Sequence, residues 1–219
     1  MSFGGLISSP SFRPSLSLSH SVLFRPLPTL YSTHVAGTAC GHKYGVATNC
    51  TLCSIKVLNS AGYASISGII SGINHVVNYC INSTLNGDGK KCVINMSIGS
   101  GYSPDFNEAV SSAVASGVVV VVAAGNSNAD ACSYSPASER SALSVGATNS
   151  SDMRANFSNY GDCVDVYAPG DDIVSASRTS VSAVITMRGT SMAAPREFSF
   201  SSPQYPLRDR IFFVFSSYD

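Results

Sequence analysis

The chain reads as an α/β domain, a doubly wound parallel sheet with helices on both faces. Three observations predict it. Segments of strand and helix character alternate between residues 51 and 167, the order that builds right-handed crossover units. Residues 118–123 are five valines and an alanine, a run that suits a strand covered on both sides. The 219 residues are 44% hydrophobic, enough for one sizeable core.

Taken in order, residues 1–33 stand apart. They are rich in Ser, Pro and Leu, carry Arg13 and Arg25, and contain no Asp or Glu, a composition shared with transit peptides. The apolar stretch 21–24 is too short for a signal-peptide core. This segment is expected to lie outside the domain. Thr33-His34-Val35-Ala36-Gly37-Thr38 then looks like a helix start. Residues 51–58 read as a buried strand, closed by a turn at Asn59-Ser60-Ala61-Gly62. Ile66, Ile69, Ile70, Ile73, Val76 and Val77 recur at helical spacing and predict an amphipathic helix over 65–79. A polar loop follows, with Gly87-Asp88-Gly89 at its tip, which a Cys80–Cys92 disulfide could close. Residues 92–98 form the next strand. Ser103-Pro104 is an N-cap and N1 pair, and Ala109, Val110, Ala113 and Val114 give that helix a buried face ending near Gly117. Residues 118–123, 142–147 and 164–167 complete the strands. Sites in such folds form beyond the carboxyl ends of strands, which places Ser97-Ile98-Gly99 and Ala124-Gly125-Asn126 at one mouth.

Charge and cysteine usage narrow the function. Charged residues are 12%, with 13 Lys+Arg against 13 Asp+Glu, so no basic nucleic-acid surface is expected. No apolar run is long enough to span a bilayer. The 7 cysteines are Cys40, Cys50, Cys53, Cys80, Cys92, Cys132 and Cys163. Their wide spacing suits an oxidising, extracytoplasmic compartment. Cys50 and Cys53 make a C-x-x-C, but Cys80 and Cys92 do not make the second one that zinc would need. An odd count leaves at least one thiol without a partner in the chain. N-x-S/T triplets occur, those at Asn82 and Asn149 among them, as secreted proteins often show.

Chemistry centres on Gly189-Thr190-Ser191-Met192-Ala193-Ala194-Pro195. It sets a hydroxyl between a glycine and small helix-tolerant residues, so the N–H groups of a starting helix would lie beside Ser191. That setting suits a nucleophile next to which negative charge develops. No G-x-S-x-G elbow surrounds Ser191, which disfavours an α/β-hydrolase. His20, His42 and His75 have no motif around them.

The stretches His34-Val35-Ala36-Gly37-Thr38, Asn95-Met96-Ser97-Ile98-Gly99, Val122-Ala123-Ala124-Gly125-Asn126, Tyr134-Ser135-Pro136-Ala137-Ser138, Phe157-Ser158-Asn159-Tyr160-Gly161 and Gly189-Thr190-Ser191-Met192-Ala193 together resemble the subtilisin family of serine peptidases, in its proteinase K and aqualysin branch. The resemblance implies the three-layer subtilisin-like form of the α/β fold, incomplete here, over residues 34–195. Residues 1–33 and 196–219 fall outside it. It implies Ser191 as nucleophile, His34 as general base and Asn126 as oxyanion donor. Ser97, Ile98 and Gly99 would pair with a peptide backbone, and Ala123, Ala124 and Gly125 would wall the primary specificity pocket. Asp165, with the carbonyls of Arg140 and Ala142, would hold a structural calcium ion. Cys132 and Cys163 would form a disulfide. The partner would be a peptide or protein substrate, with no nucleic acid and no membrane, and the chain a secreted monomer. Taken alone, a histidine at a helix start is ordinarily structural.

Two departures bear on activity. No Asp or Glu precedes His34, and the first acid is Asp88. Leu30-Tyr31-Ser32 stands where the family has a glycine-bearing lead. After Pro195 the text turns to Arg196-Glu197-Phe198-Ser199, and later to Ile211-Phe212-Phe213-Val214-Phe215, which reads as an unrelated end. The expectation is a serine endopeptidase with very weak turnover. The alternatives are a non-catalytic peptide binder and a fragment that does not fold.

Overall fold

The structure is a computed structural model that describes residues 30–48, 50–59, 61–85, 91–180, 182–197 and 210–217. Its elements in chain order are α1 (Leu30–Cys40), β1 (Thr51–Leu58), α2 (Ile66–Leu85), β2 (Lys91–Met96), β3 (Ser100–Gly101), α3 (Pro104–Ala115), β4 (Val119–Ala123), β5 (Tyr134–Ser135), β6 (Leu143–Thr148), β7 (Val166–Pro169), β8 (Ile173–Ala176), β9 (Val184–Met187), α4 (Thr190–Glu197) and β10 (Arg210–Ser217). Six strands form one parallel sheet in the order β1-β10-β2-β4-β6-β7, while β3 with β5 and β8 with β9 form small antiparallel pairs. The expected doubly wound α/β sheet is present.

Alternation along each strand builds the two layers. On one face Ile94 and Met96 of β2, Val120 and Val122 of β4, and Phe213 and Phe215 of β10 pack with Ile69, Ile73 and Val76 of α2 and Phe106, Val110 and Ala113 of α3. On the other face Val93, Val121 and Ala123 meet Ala39 and Cys40 of α1 and Ala193 and Ala194 of α4. Both faces are covered, so β4 is buried from Val120 to Ala123, as its valine run requires. At the start of α3, the Ser103 hydroxyl accepts the Phe106 N–H, with Pro104 following. Gly117, at φ +85, turns the chain out after the Ser116 cap.

Two expectations are corrected here. The helix expected to stop at residue 79 continues to Leu85. Cys80 lies inside α2 and is tied to Cys92 at the start of β2, with Cα atoms 6.1 Å apart. The larger correction concerns the tail. Residues 210–217, taken as an unrelated end, form a strand in the middle of the sheet. Ile211 to Phe215 pair with Thr51 to Ile55 of β1, and Arg210 to Val214 pair with Lys91 to Asn95 of β2. β1 is joined to the sheet through β10. Val214 is 1% exposed and Phe213 2%. α1 begins at Leu30, four residues before the expected domain start. The expectation for residues 1–29 lies outside the described residues.

Three disulfides are present: Cys40–Cys50, Cys80–Cys92 and Cys132–Cys163. The last has its Cα atoms 5.2 Å apart, inside the range a disulfide needs. Cys50 is therefore bound to Cys40, and the C-x-x-C does not act as a metal-ligand pair.

Candidate active site

Three strand and helix ends meet at one cleft, as the parallel topology dictates. β2 delivers Ser97, Ile98 and Gly99, β4 delivers Ala123, Gly125 and Asn126, and α4 begins with Thr190 and Ser191. The cleft encloses about 720 Å³. No charged side chain lines it among the described residues.

Its floor is held by reciprocal bonds between β2 and α4. The Ser97 hydroxyl donates to the Ser191 carbonyl at 2.9 Å, and the Ser191 hydroxyl donates to the Ser97 carbonyl at 3.4 Å. The Asn95 side-chain amide donates to the Ser97 hydroxyl at 2.9 Å. Ser191 sits in the first turn of α4, whose N–H groups have no intrahelical acceptor. It is 6% exposed.

Asn126 is oriented by Thr190. Its Oδ1 accepts the Thr190 N–H at 2.8 Å and the Thr190 hydroxyl at 3.0 Å. A backbone N–H can only donate, so the oxygen of Asn126 faces Thr190 and its Nδ2 is left for the cleft. The approach is close because Gly125, at φ +105, turns the chain sharply, and its N–H donates to the Thr190 hydroxyl at 3.1 Å. A side chain at Gly125 would overlap Asn159 Nδ2. Asn159 holds this corner: its Nδ2 donates to the Ala124 carbonyl at 2.8 Å, and its Oδ1 accepts the N–H groups of Ser127 and Ala129 at 2.9 and 3.2 Å.

His34 is not where a base for Ser191 would have to be. The ring is fully buried, and Nε2 donates to the Ile173 carbonyl at 2.9 Å. That bond fixes the proton on Nε2. Nδ1 is buried without a partner, and neither ring nitrogen is bonded to Ser191. Burial lowers the His34 pKa, with the backbone of Ile173 and of Ile185 opposing it. The α1 residues that line the cleft are Tyr31, Ser32 and Val35. With about 100° between successive residues of a helix, His34 lies roughly 100° round from the middle of that arc, towards β8. The Ser175 hydroxyl of β8 donates to the His34 carbonyl at 2.9 Å. The family motif lies on a helix that meets the cleft, but through Tyr31, Ser32 and Val35 rather than His34.

The remaining expected residues divide. Ser97, Ile98, Gly99, Ala123 and Gly125 line the cleft. Ala124 does not: it is fully buried with Ala131, Ala137 and Cys163 behind the wall, because alternate residues leaving a strand face opposite sides. Asp165 is exposed. Its Oδ2 accepts the Ser144 N–H at 2.8 Å while its own N–H donates to the Ser144 carbonyl at 3.0 Å. That leaves Oδ1 outside the bond, so calcium there would draw on one carboxylate oxygen, carbonyls and water. The Arg140 guanidinium is bonded to the Asp162 carbonyl, and Ala142 is buried. Sequence reasoning missed Tyr31, Val35, Leu58, Tyr63, Ile66, Ile69 and Phe215 as cleft residues. The i, i+4 spacing of Tyr31 and Val35 was an available signal. Phe215 had none.

A serine in the first turn of a helix and a glycine-turned asparagine thus meet beyond the strand ends of a parallel sheet. Residues 32–196 match the peptidase S8, or subtilase, family, and the chain belongs to it. It is 51% identical over 165 residues to subtilisin-like protease 2 of Pseudogymnoascus destructans, covering 75% of this chain and 40% of that one. It is 50% identical over 165 residues to an extracellular serine proteinase of a Thermus species, covering 75% of this chain and 38% of that one. The crystal structure of a cold adapted subtilisin-like serine proteinase superposes with a TM-score of 0.72 at 42% identity, covering 82% of this chain and 65% of that one. The chain thus spans about two fifths of the length of the two named sequence relatives.

Proposed function

We propose that this chain is a subtilase domain that holds an extended peptide in its cleft and carries serine-endopeptidase chemistry in a crippled form. Family membership supports peptide-bond hydrolysis as the parent activity. A peptide backbone would pair along Ser97, Ile98 and Gly99, with the scissile carbonyl over Ser191 and its oxygen towards Asn126 Nδ2. The burial of His34 against the Ile173 carbonyl carries the second half of the proposal. With that ring turned away, the Ser191 hydroxyl has a backbone carbonyl as its acceptor, which cannot take up the proton during attack. No carboxylate lines the cleft among the described residues to orient a base. Loss of a triad member of this kind leaves a residual rate of about 10³–10⁴ over water from the oxyanion hole and binding.

The three disulfides support an oxidising, secreted location. Calcium held by Asp165 with the Arg140 and Ala142 carbonyls would support stability rather than chemistry. The test is direct. The purified chain should bind fluorescein-labelled peptides in an anisotropy titration, and turn over a chromogenic peptide near background. Subtilisin-like turnover that disappears in Ser191→Ala would overturn the proposal, and so would the absence of any peptide binding.

A further inference from the structure

The matched family stretch ends at residue 196, yet one cleft residue comes from beyond it. Phe215 arrives on β10, whose pairing with β1 and β2 fixes its height in the sheet. It is 3% exposed, and its ring presses on α2 where a side chain at Gly72 would meet it at 3.2 Å. It touches both the core cluster of Ile69, Ile73 and Met96 and the cleft that holds Ser97 and Ser191. The same cleft is lined by Tyr31, Val35, Leu58, Ile66 and Ile69, of which Ile66 and Ile69 pack in the cluster of Phe215.

We infer that Phe215 is a specificity determinant supplied by the tail: it floors a pocket that takes an uncharged apolar side chain of the bound peptide. The inference rests on the peptide-binding reading above. A charged side chain would lose its water there with no counter-charge among the lining residues, a cost that burial without a partner always carries. A Leu side chain would gain contact with the ring and the isoleucines.

Four sets of labelled tetrapeptides, each varying one position among Leu, Gly and Asp, should be titrated against the whole chain. At one position Leu should bind about tenfold or more tighter than Gly and Asp, the scale of one apolar side chain in a pocket. Phe215→Leu and Phe215→Met should reduce that ratio about threefold or more. Phe213→Leu is the control, on the same strand and face but outside the cleft, and should keep the wild-type ratio. A Leu preference unchanged by both Phe215 variants, or changed equally by Phe213→Leu, overturns the inference and leaves peptide binding intact. Failure of every peptide to bind removes the peptide-binding reading and the inference with it.

Discussion

Replacing Phe213 with alanine tests whether the tail strand belongs where the structure puts it. Phe213 is 2% exposed and packs within the cluster that holds Ile73 and Ile94. Its ring meets Tyr79 edge-on, with centroids 5.7 Å apart and planes at 72°. Truncating a buried Phe to Ala costs about 3–5 kcal/mol, a large part of the about 5–15 kcal/mol that holds a domain folded. With a urea slope of about 2 kcal/mol per molar, the midpoint should fall by about 2 M. Tyr79→Leu should cost less, and a double-mutant cycle should return a coupling of about 0.5–1.5 kcal/mol for the aromatic pair. The assay is urea unfolding followed by far-ultraviolet circular dichroism. If the tail lay in solvent, Phe213→Ala would be nearly neutral. A loss below about 1 kcal/mol, or no coupling to Tyr79, would refute the placement of β10 between β1 and β2.

Further outcomes are expected. Replacing Cys132 and Cys163 with alanine, which opens a separation of 31 residues, should lower stability by about 3–4 kcal/mol in the same unfolding assay. His34 is held neutral in the folded chain by burial; the unfolded state therefore binds protons more readily below about pH 6.5, and stability should fall as pH drops through that range. Thermal melts from pH 8 to pH 5 should show this slope, and His34→Gln should flatten it. Asn126→Ala should cut any phosphonate labelling of Ser191, read by mass spectrometry, by about 10²–10³. Gly125→Ala should destabilise by more than 1 kcal/mol, roughly, because φ +105 and Asn159 leave no room for a methyl group; the melting temperature measures it.

The sheet was legible because its signals are local. The valines of β4, the isoleucine spacing of α2 and the Ser103-Pro104 start of α3 each depend on a few neighbouring residues. Other features depend on distant ones. Polar residues after Tyr79 argued for a loop, but the Cys80–Cys92 link anchors another turn of helix. The apolar run 211–215 showed a strand's character and nothing of its slot, because a parallel strand is paired by residues about 120–160 positions away. In the cleft, Ser191 and Asn126 stand together, each from a motif whose backbone shape is local. The side that His34 faces was not legible, because a motif names a residue without its rotation on the helix. The contacts with Ile173 and Ser175, 139 and 141 residues on, show that it faces the core.

The position of β10 bears on how the chain is made. Synthesis runs from the amino end, and domains tend to fold in that order. β1 leaves the ribosome early, but its bridge to β2 is the last described strand to appear. Until residue 217 has emerged, β1 has no strand beside it in the sheet, and the apolar surface of residues 51–85 has an incomplete bed to settle on. The contacts of β10 join residues far apart in sequence, the kind that form slowly. A nascent chain of this protein therefore presents a half-built sheet for most of its synthesis, a long interval of exposure to chaperones and to aggregation.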